Sequence, residues 1–208
     1  MAVDIMDMVE FRKLDKDVFS KKIPFKISFP YLKYGWLNVN IRAGDDSLEY
    51  QAAISNLSEL ADIIAAVADL LPTVGDYDKY FQSLRTRSRI RFDLEPQLYI
   101  FDFRTVYDFR GYYAIQLLIA EQYMNYDSIG YDQEDFEEFS GSINGFDNFK
   151  KSILLATELP LRFFAERFYF AMEDLSFKTG KDRFEATSEY PLVDKQLKRI
   201  RKYLDQKY

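Results

Sequence analysis

The chain has 208 residues, with 34 Asp and Glu against 28 Lys and Arg, for a formal charge of −6, and it contains neither Cys nor His. Without cysteine there is no disulfide framework, thiolate nucleophile, iron–sulfur cluster or zinc finger. Without histidine there is no Ser–His or Cys–His catalysis, so any chemistry rests on carboxylates, Lys, Tyr or backbone groups.

Residues 1–22 carry charges throughout and lack an apolar run of signal-peptide length. The longest uncharged apolar stretch, residues 112–120, falls far short of the roughly 20 residues a membrane helix needs. The expectation is a cytoplasmic protein that does not enter a membrane.

Residues 22–56 read as strands. Phe25, Ile27 and Phe29 alternate with Lys26 and Ser28, and Pro24 and Pro30 bracket them as at a sheet edge. From Gly35 to Ile41, Trp36, Asn38 and Asn40 alternate against Leu37, Val39 and Ile41, the pattern of a half-buried strand. Gly44, Asp45 and Asp46 turn the chain, and residues 48–54 return, so a hairpin is predicted. Trp36 reads as sheet packing rather than as a ligand platform.

Asn56 is a good N-cap with Glu59 three residues on, as in a capping box. Leu57, Leu60, Ala61, Ile64, Val67, Ala68 and Leu71 form one apolar stripe, which Pro72 and Gly75 stop. A stripe this regular is expected to pack on a sheet. Residues 77–84 read as a short helix or loop. Residues 85–94 alternate strictly, with Ile90, Phe92 and Leu94 on one face and Arg85, Arg87, Arg89, Arg91 and Asp93 on the other. Two further strands are predicted at residues 98–104 and 112–123.

From Ser140 the pattern changes. Phe146, Phe149, Ile153 and Ala156 fit one helical face, and Leu161, Phe164, Ala165, Phe168, Met172 and Leu175 continue the period beyond Pro160. Pro160 either kinks one long helix or opens a second. Residues 176–191 read as loop, and residues 192–204 as a last basic helix. The fold class is therefore α+β: a mainly antiparallel sheet of about six strands, packed by one helix after the third strand and by C-terminal helices. The reading is one domain over residues 1–208, sheet-rich at about 22–123, with an acidic connection at about 124–145 and a helical part at about 146–208.

Charge placement is the most unusual feature. Between Arg110 and Lys150 there is no Lys or Arg, while Glu121, Asp127, Asp132, Glu134, Asp135, Glu137, Glu138 and Asp147 fall in that window. Tyr123, Tyr126, Tyr131, Phe136, Phe139, Phe146 and Phe149 interleave with them. Aromatics supply contact area and carboxylates a steering field, so Tyr131, Asp132, Glu134, Asp135, Phe136, Glu137, Glu138 and Phe139 are the candidate site for a basic protein partner. A solvated acidic loop whose aromatics merely anchor it is the competing account.

Metal binding by the same carboxylates is a minor reading. The EF-hand pattern fails at Ile129, and di-iron helices need Glu-x-x-His. The arginine row at positions 85–91 suits either a phosphate chain or, more simply, cross-strand carboxylates. Overall acidity and the lack of Gly-rich or aromatic RNA-binding motifs argue against nucleic acid. No phosphate loop, dinucleotide fingerprint or nucleophile elbow occurs, and no cofactor is expected.

Gly35 to Tyr123 nevertheless shows a familiar order of elements. Trp36-Leu37-Asn38-Val39-Asn40-Ile41, then Leu48-Glu49-Tyr50-Gln51-Ala52-Ala53-Ile54-Ser55, then a capped helix opening at Leu57 and further strands, resembles small bacterial immunity-type proteins. These are acidic cytoplasmic partners that neutralise toxins of polymorphic toxin systems. The resemblance spans under half of the chain and implies a non-catalytic binder.

Two alternatives stay open. One is an enzyme or ligand-binding protein in which Asp102, Asp108, Tyr112 and Glu121 converge in an apolar cleft. The other is a self-associating protein whose acidic segment meets the basic stretch Lys195, Lys198, Arg199, Arg201 and Lys202 of a neighbour.

Overall fold

Period-two alternation builds two antiparallel sheets. A computed structural model of the chain describes residues 24–54, 57–72, 87–94, 97–107, 113–123, 153–185 and 190–206. The first sheet holds β1 (Phe25–Ser28), β2 (Leu32–Lys33), β3 (Trp36–Ala43) and β4 (Asp46–Ala53). β3 is its centre, paired with β4 from Trp36↔Ala53 to Ala43↔Asp46. β1 and β2 lie end to end along the other edge of β3. Pro30 falls at their interruption, because proline has no N–H for a ladder. The edge is held there by the Tyr31 carbonyl, which accepts the Asn38 N–H at 3.0 Å.

Two tight turns set the register. Tyr34 (φ 55°) and Gly35 (φ 78°) both sit in the left-handed region, the signature of a type I′ turn between β2 and β3. Between β3 and β4, Gly44 (φ 63°) takes the first central position, as in a type II′ turn. Leu37, Val39, Ile41 and Ala43 are consequently buried, while Trp36, Asn38, Asn40 and Arg42 share the outer face.

The second sheet is a meander of β5 (Arg87–Leu94), β6 (Gln97–Tyr107), β7 (Tyr113–Tyr123) and β8 (Ile153–Pro160). Its inner face carries Phe101, Phe103, Ile115, Leu117, Ile119, Leu155 and Leu159, all buried in the core shared with the first sheet. Three helices complete the described fold: α1 (Leu57–Ala68), α2 (Leu161–Glu185) and α3 (Tyr190–Leu204). The architecture is α+β, as the alternation and stripes imply, with eight strands among the described residues rather than about six.

Three elements differ from expectation for identifiable reasons. Ile153 and Ala156 lie in strand β8, not in a helix. Their three-residue spacing fits either element, and the free edge of β7 needs backbone partners, which β8 provides from Ala114↔Pro160 to Ala120↔Ile153. Helix α2 runs through residues 176–185, where a loop was expected. Buried Leu175 and the Asp174–Lys178 pair (2.5 Å, four residues apart) carry the helix past Thr179 and Gly180. Helix α3 then opens at Tyr190 with Pro191 in its first turn, where a missing N–H costs nothing. Helix α1 packs chiefly on α3, with β5 its main contact in a sheet.

The two sheets meet on the first turn of α2. Phe164, fully buried, has its ring 5.9 Å from Phe25 of β1, 5.8 Å from Phe103 of β6 and 6.0 Å from Phe168. Phe168 in turn meets Phe29 edge-on at 5.9 Å. Tyr50 of β4 stacks on Tyr99 at 4.8 Å and tilts against Phe101 at 5.7 Å, closing the same row from the other side. Phe164→Ala should lower unfolding free energy by about 3–5 kcal/mol in urea titration, and Phe164→Leu by markedly less.

Candidate functional site

The predicted partner-binding residues Tyr131, Asp132, Glu134, Asp135, Phe136, Glu137, Glu138 and Phe139 lie outside the described residues, as do Arg85, Asp108 and Tyr112. The frame around the acidic connection is defined. β7 ends at Tyr123, and β8 begins at Ile153 and pairs antiparallel with β7, so the connection leaves and rejoins the second sheet at one end.

Of the residues expected to converge in an apolar cleft, Asp102 pairs in register with Leu118, and Glu121 with Tyr99. Asp102 is buried on the face away from the shared core, with Ala114, Gln116, Leu118, Ala120 and Ala156 buried on the same side. There Gln116 Nε2 donates to Glu158 Oε2 at 3.0 Å, while Gln116 Oε1 is buried with no hydrogen-bond partner.

In the register of β5 against β6, Arg89 lies opposite Asp102, Arg87 opposite Arg104 and Arg91 opposite Ile100. Among the described residues, no group of three or more Asp or Glu is placed to hold a metal ion.

The basic stretch of α3 carries its own counterions. Lys198 pairs with Asp194 at 2.6 Å and Arg201 with Asp205 at 3.0 Å, each one turn away. Arg199 reaches across to Asp69, just past α1, at 2.5 Å. The carboxylate beside each raises the pKa of Lys198 and of Arg201.

What sequence reasoning missed is the outer face of the first sheet. Tyr31, Tyr34 and Trp36 are exposed there, Tyr34 at 87% and Trp36 at 44%. The Lys33 ammonium sits 4.8 Å from the centre of the Tyr34 ring. Gln51 Nε2 donates to the Tyr31 hydroxyl at 2.8 Å. Asn38 Oδ1 and Asn40 Oδ1 are buried with no hydrogen-bond partner. The signal was in the alternation itself, which puts a Trp on the polar side of a strand.

One ionisable cluster ties α2 to α3. Burial, the hydrogen bond to Glu173 and that carboxylate's charge push the Tyr169 hydroxyl up to about 12, against the opposing pull of Arg201. Burial also raises Tyr50, and Tyr99 adds to the shift. A group that holds its proton more tightly when folded adds stability below its unfolded pKa of about 10 and loses it as pH climbs through the folded value. Denaturant midpoints should therefore fall between pH 10 and pH 12, and Tyr169→Phe should make that fall shallower. No family model, curated protein or solved structure matches this chain.

Proposed function

We propose that this chain is a non-catalytic, cytoplasmic binding protein that engages a basic protein partner through Tyr131, Asp132, Glu134, Asp135, Phe136, Glu137, Glu138 and Phe139. The role fits a toxin-neutralising, immunity-like protein. The observation that carries the reading is the charge partition: residues 111–149 hold eight carboxylates and no Lys or Arg. Since the whole chain sums to −6, everything outside that window sums to +2. A field concentrated in one connection steers association, whereas diffuse acidity would only aid solubility.

One feature of the scaffold weighs against the self-associating alternative. Lys198, Arg199 and Arg201 are matched by Asp194, Asp69 and Asp205, which removes much of the charge that would draw in a neighbour's acidic segment.

Replacing Glu134, Asp135, Glu137 and Glu138 together by Lys is the direct test. Association with a protein captured from the source cells should slow by about tenfold or more at low salt and lose most of its salt dependence. An on-rate that ignores the four reversals would refute the reading.

A further inference from the structure

The outer face of the first sheet has the make-up of a recognition surface, and the core gains nothing from it. Three strands set out a small grid. Trp36, Asn38 and Asn40 follow one another along β3, with Ala53, Gln51 and Glu49 opposite them on β4. Lys33 and Ser28 face Trp36 and Asn40 from the other edge.

Tyr31 crosses this grid. Its carbonyl holds the Asn38 N–H on the β1–β2 side, and its hydroxyl accepts from Gln51 on the β4 side. Gln51 is the register partner of Asn38, so the Tyr31 side chain bridges over Asn38 and leaves it only 6% exposed. Beneath the bridge Asn38 Oδ1 has no donor, and Asn40 Oδ1 on the same face also has none. Buried acceptors left unmade are costly, and Val or Thr would suit a strand better at both positions.

Tyr34 adds a second anomaly. It holds a positive φ that Gly, Asn or Asp adopts more readily, while leaving its ring almost wholly in solvent. One exposed aromatic at positive φ, on the same sheet as unmet amide acceptors, suits a binding surface of rigid rings and adaptable amides.

We infer that this face is a binding site for a neutral saccharide. Charges on it nearly cancel: Lys26, Lys33 and Arg42 stand against Asp45 and Glu49. Lys33 is drawn over the Tyr34 ring, and Arg42 Nε donates to the Gly44 carbonyl at 3.2 Å. A charged ligand would find little to complement. A pyranose offers an apolar C–H face to the Trp36 ring and hydroxyl donors for Asn38, Asn40 and Glu49, and its ring oxygen can accept from Gln51. Opening of the Tyr31–Gln51 bridge exposes Asn38, so the site is gated by one side-chain hydrogen bond.

Trp36 is the only Trp in the chain, so its emission reports on this site alone. Maltose, cellobiose, lactose and chitobiose should be titrated against the full chain, with trilysine and triglutamate as charged controls. At least one disaccharide should shift Trp36 emission saturably in the millimolar range. Asn38→Ala should weaken that binding about fivefold. Tyr31→Phe, which keeps the ring and removes the bridge, should strengthen it. Tyr34→Asn should raise the thermal midpoint while lowering affinity. The inference fails if no disaccharide moves the emission, or if a charged peptide does so where sugars do not. It fails equally if Asn38→Ala and Tyr31→Phe, both with unaltered circular dichroism, bind as the parent does.

Discussion

The fold depends on Phe164. It stands in the first turn of α2, immediately after β8, and its ring touches Phe25 of one sheet and Phe103 of the other. Neither sheet has a complete core of its own. Each has a single row of apolar residues pointing inward, and each row is finished by rings from α2 and by the other sheet. Aromatic pairs at such spacings gain from quadrupole geometry as well as area, so the Phe25–Phe164–Phe103 contact buries surface and ties both sheets to α2. The position of Pro160 follows. It closes β8 and leaves α2 to begin at Leu161, which brings Phe164 to the junction one turn later.

Joining the sheets through inward rows fixes what their other faces can do. On the first sheet, the face turned from the core is solvent-exposed and carries Trp36, Gln51 and Glu49. On the second, the corresponding face is buried at Asp102, Gln116 and Leu118 and places Arg89 opposite Asp102. The same alternation thus yields one outward surface open to ligands and one interior polar layer. Asp102 belongs to that buried layer, opposite Arg89 and Leu118 by register.

Legibility in the sequence followed the range of the interaction concerned. The β3–β4 hairpin was readable because both its signals are local: Leu37, Val39 and Ile41 alternate with polar residues, and Gly44 supplies the one backbone conformation the turn requires. Helix α1 was readable from its stripe. Strand β8 was not, because Ile153 and Ala156 satisfy either period, and the deciding influence is the unpaired edge of β7, more than thirty residues earlier in sequence. The far end of α2 was misread because Gly180 and Thr179 disfavour helix locally, while Leu175 and the Asp174–Lys178 pair favour it through packing and charge. The candidate sites divide the same way. Trp36, Asn38 and Asn40 were visible as one polar row, but the bridge from Tyr31 to Gln51 joins residues twenty apart and exists only once the register is set.

The unmet acceptors differ in what they tell. Gln116 is held from one side, since its amide donates to Glu158, and its place in a buried polar layer explains its retention. Asn38 and Asn40 have no such account. They sit on a central strand where a β-branched side chain would remove an unsatisfied oxygen at each position and improve strand packing. A sheet that keeps two amides there, Asn38 under a tyrosine bridge and Asn40 further along the same face, is less stable than its backbone allows. Such a departure from the local rule belongs to a surface shaped by what it contacts, because the core on the other side of β3 is complete without it.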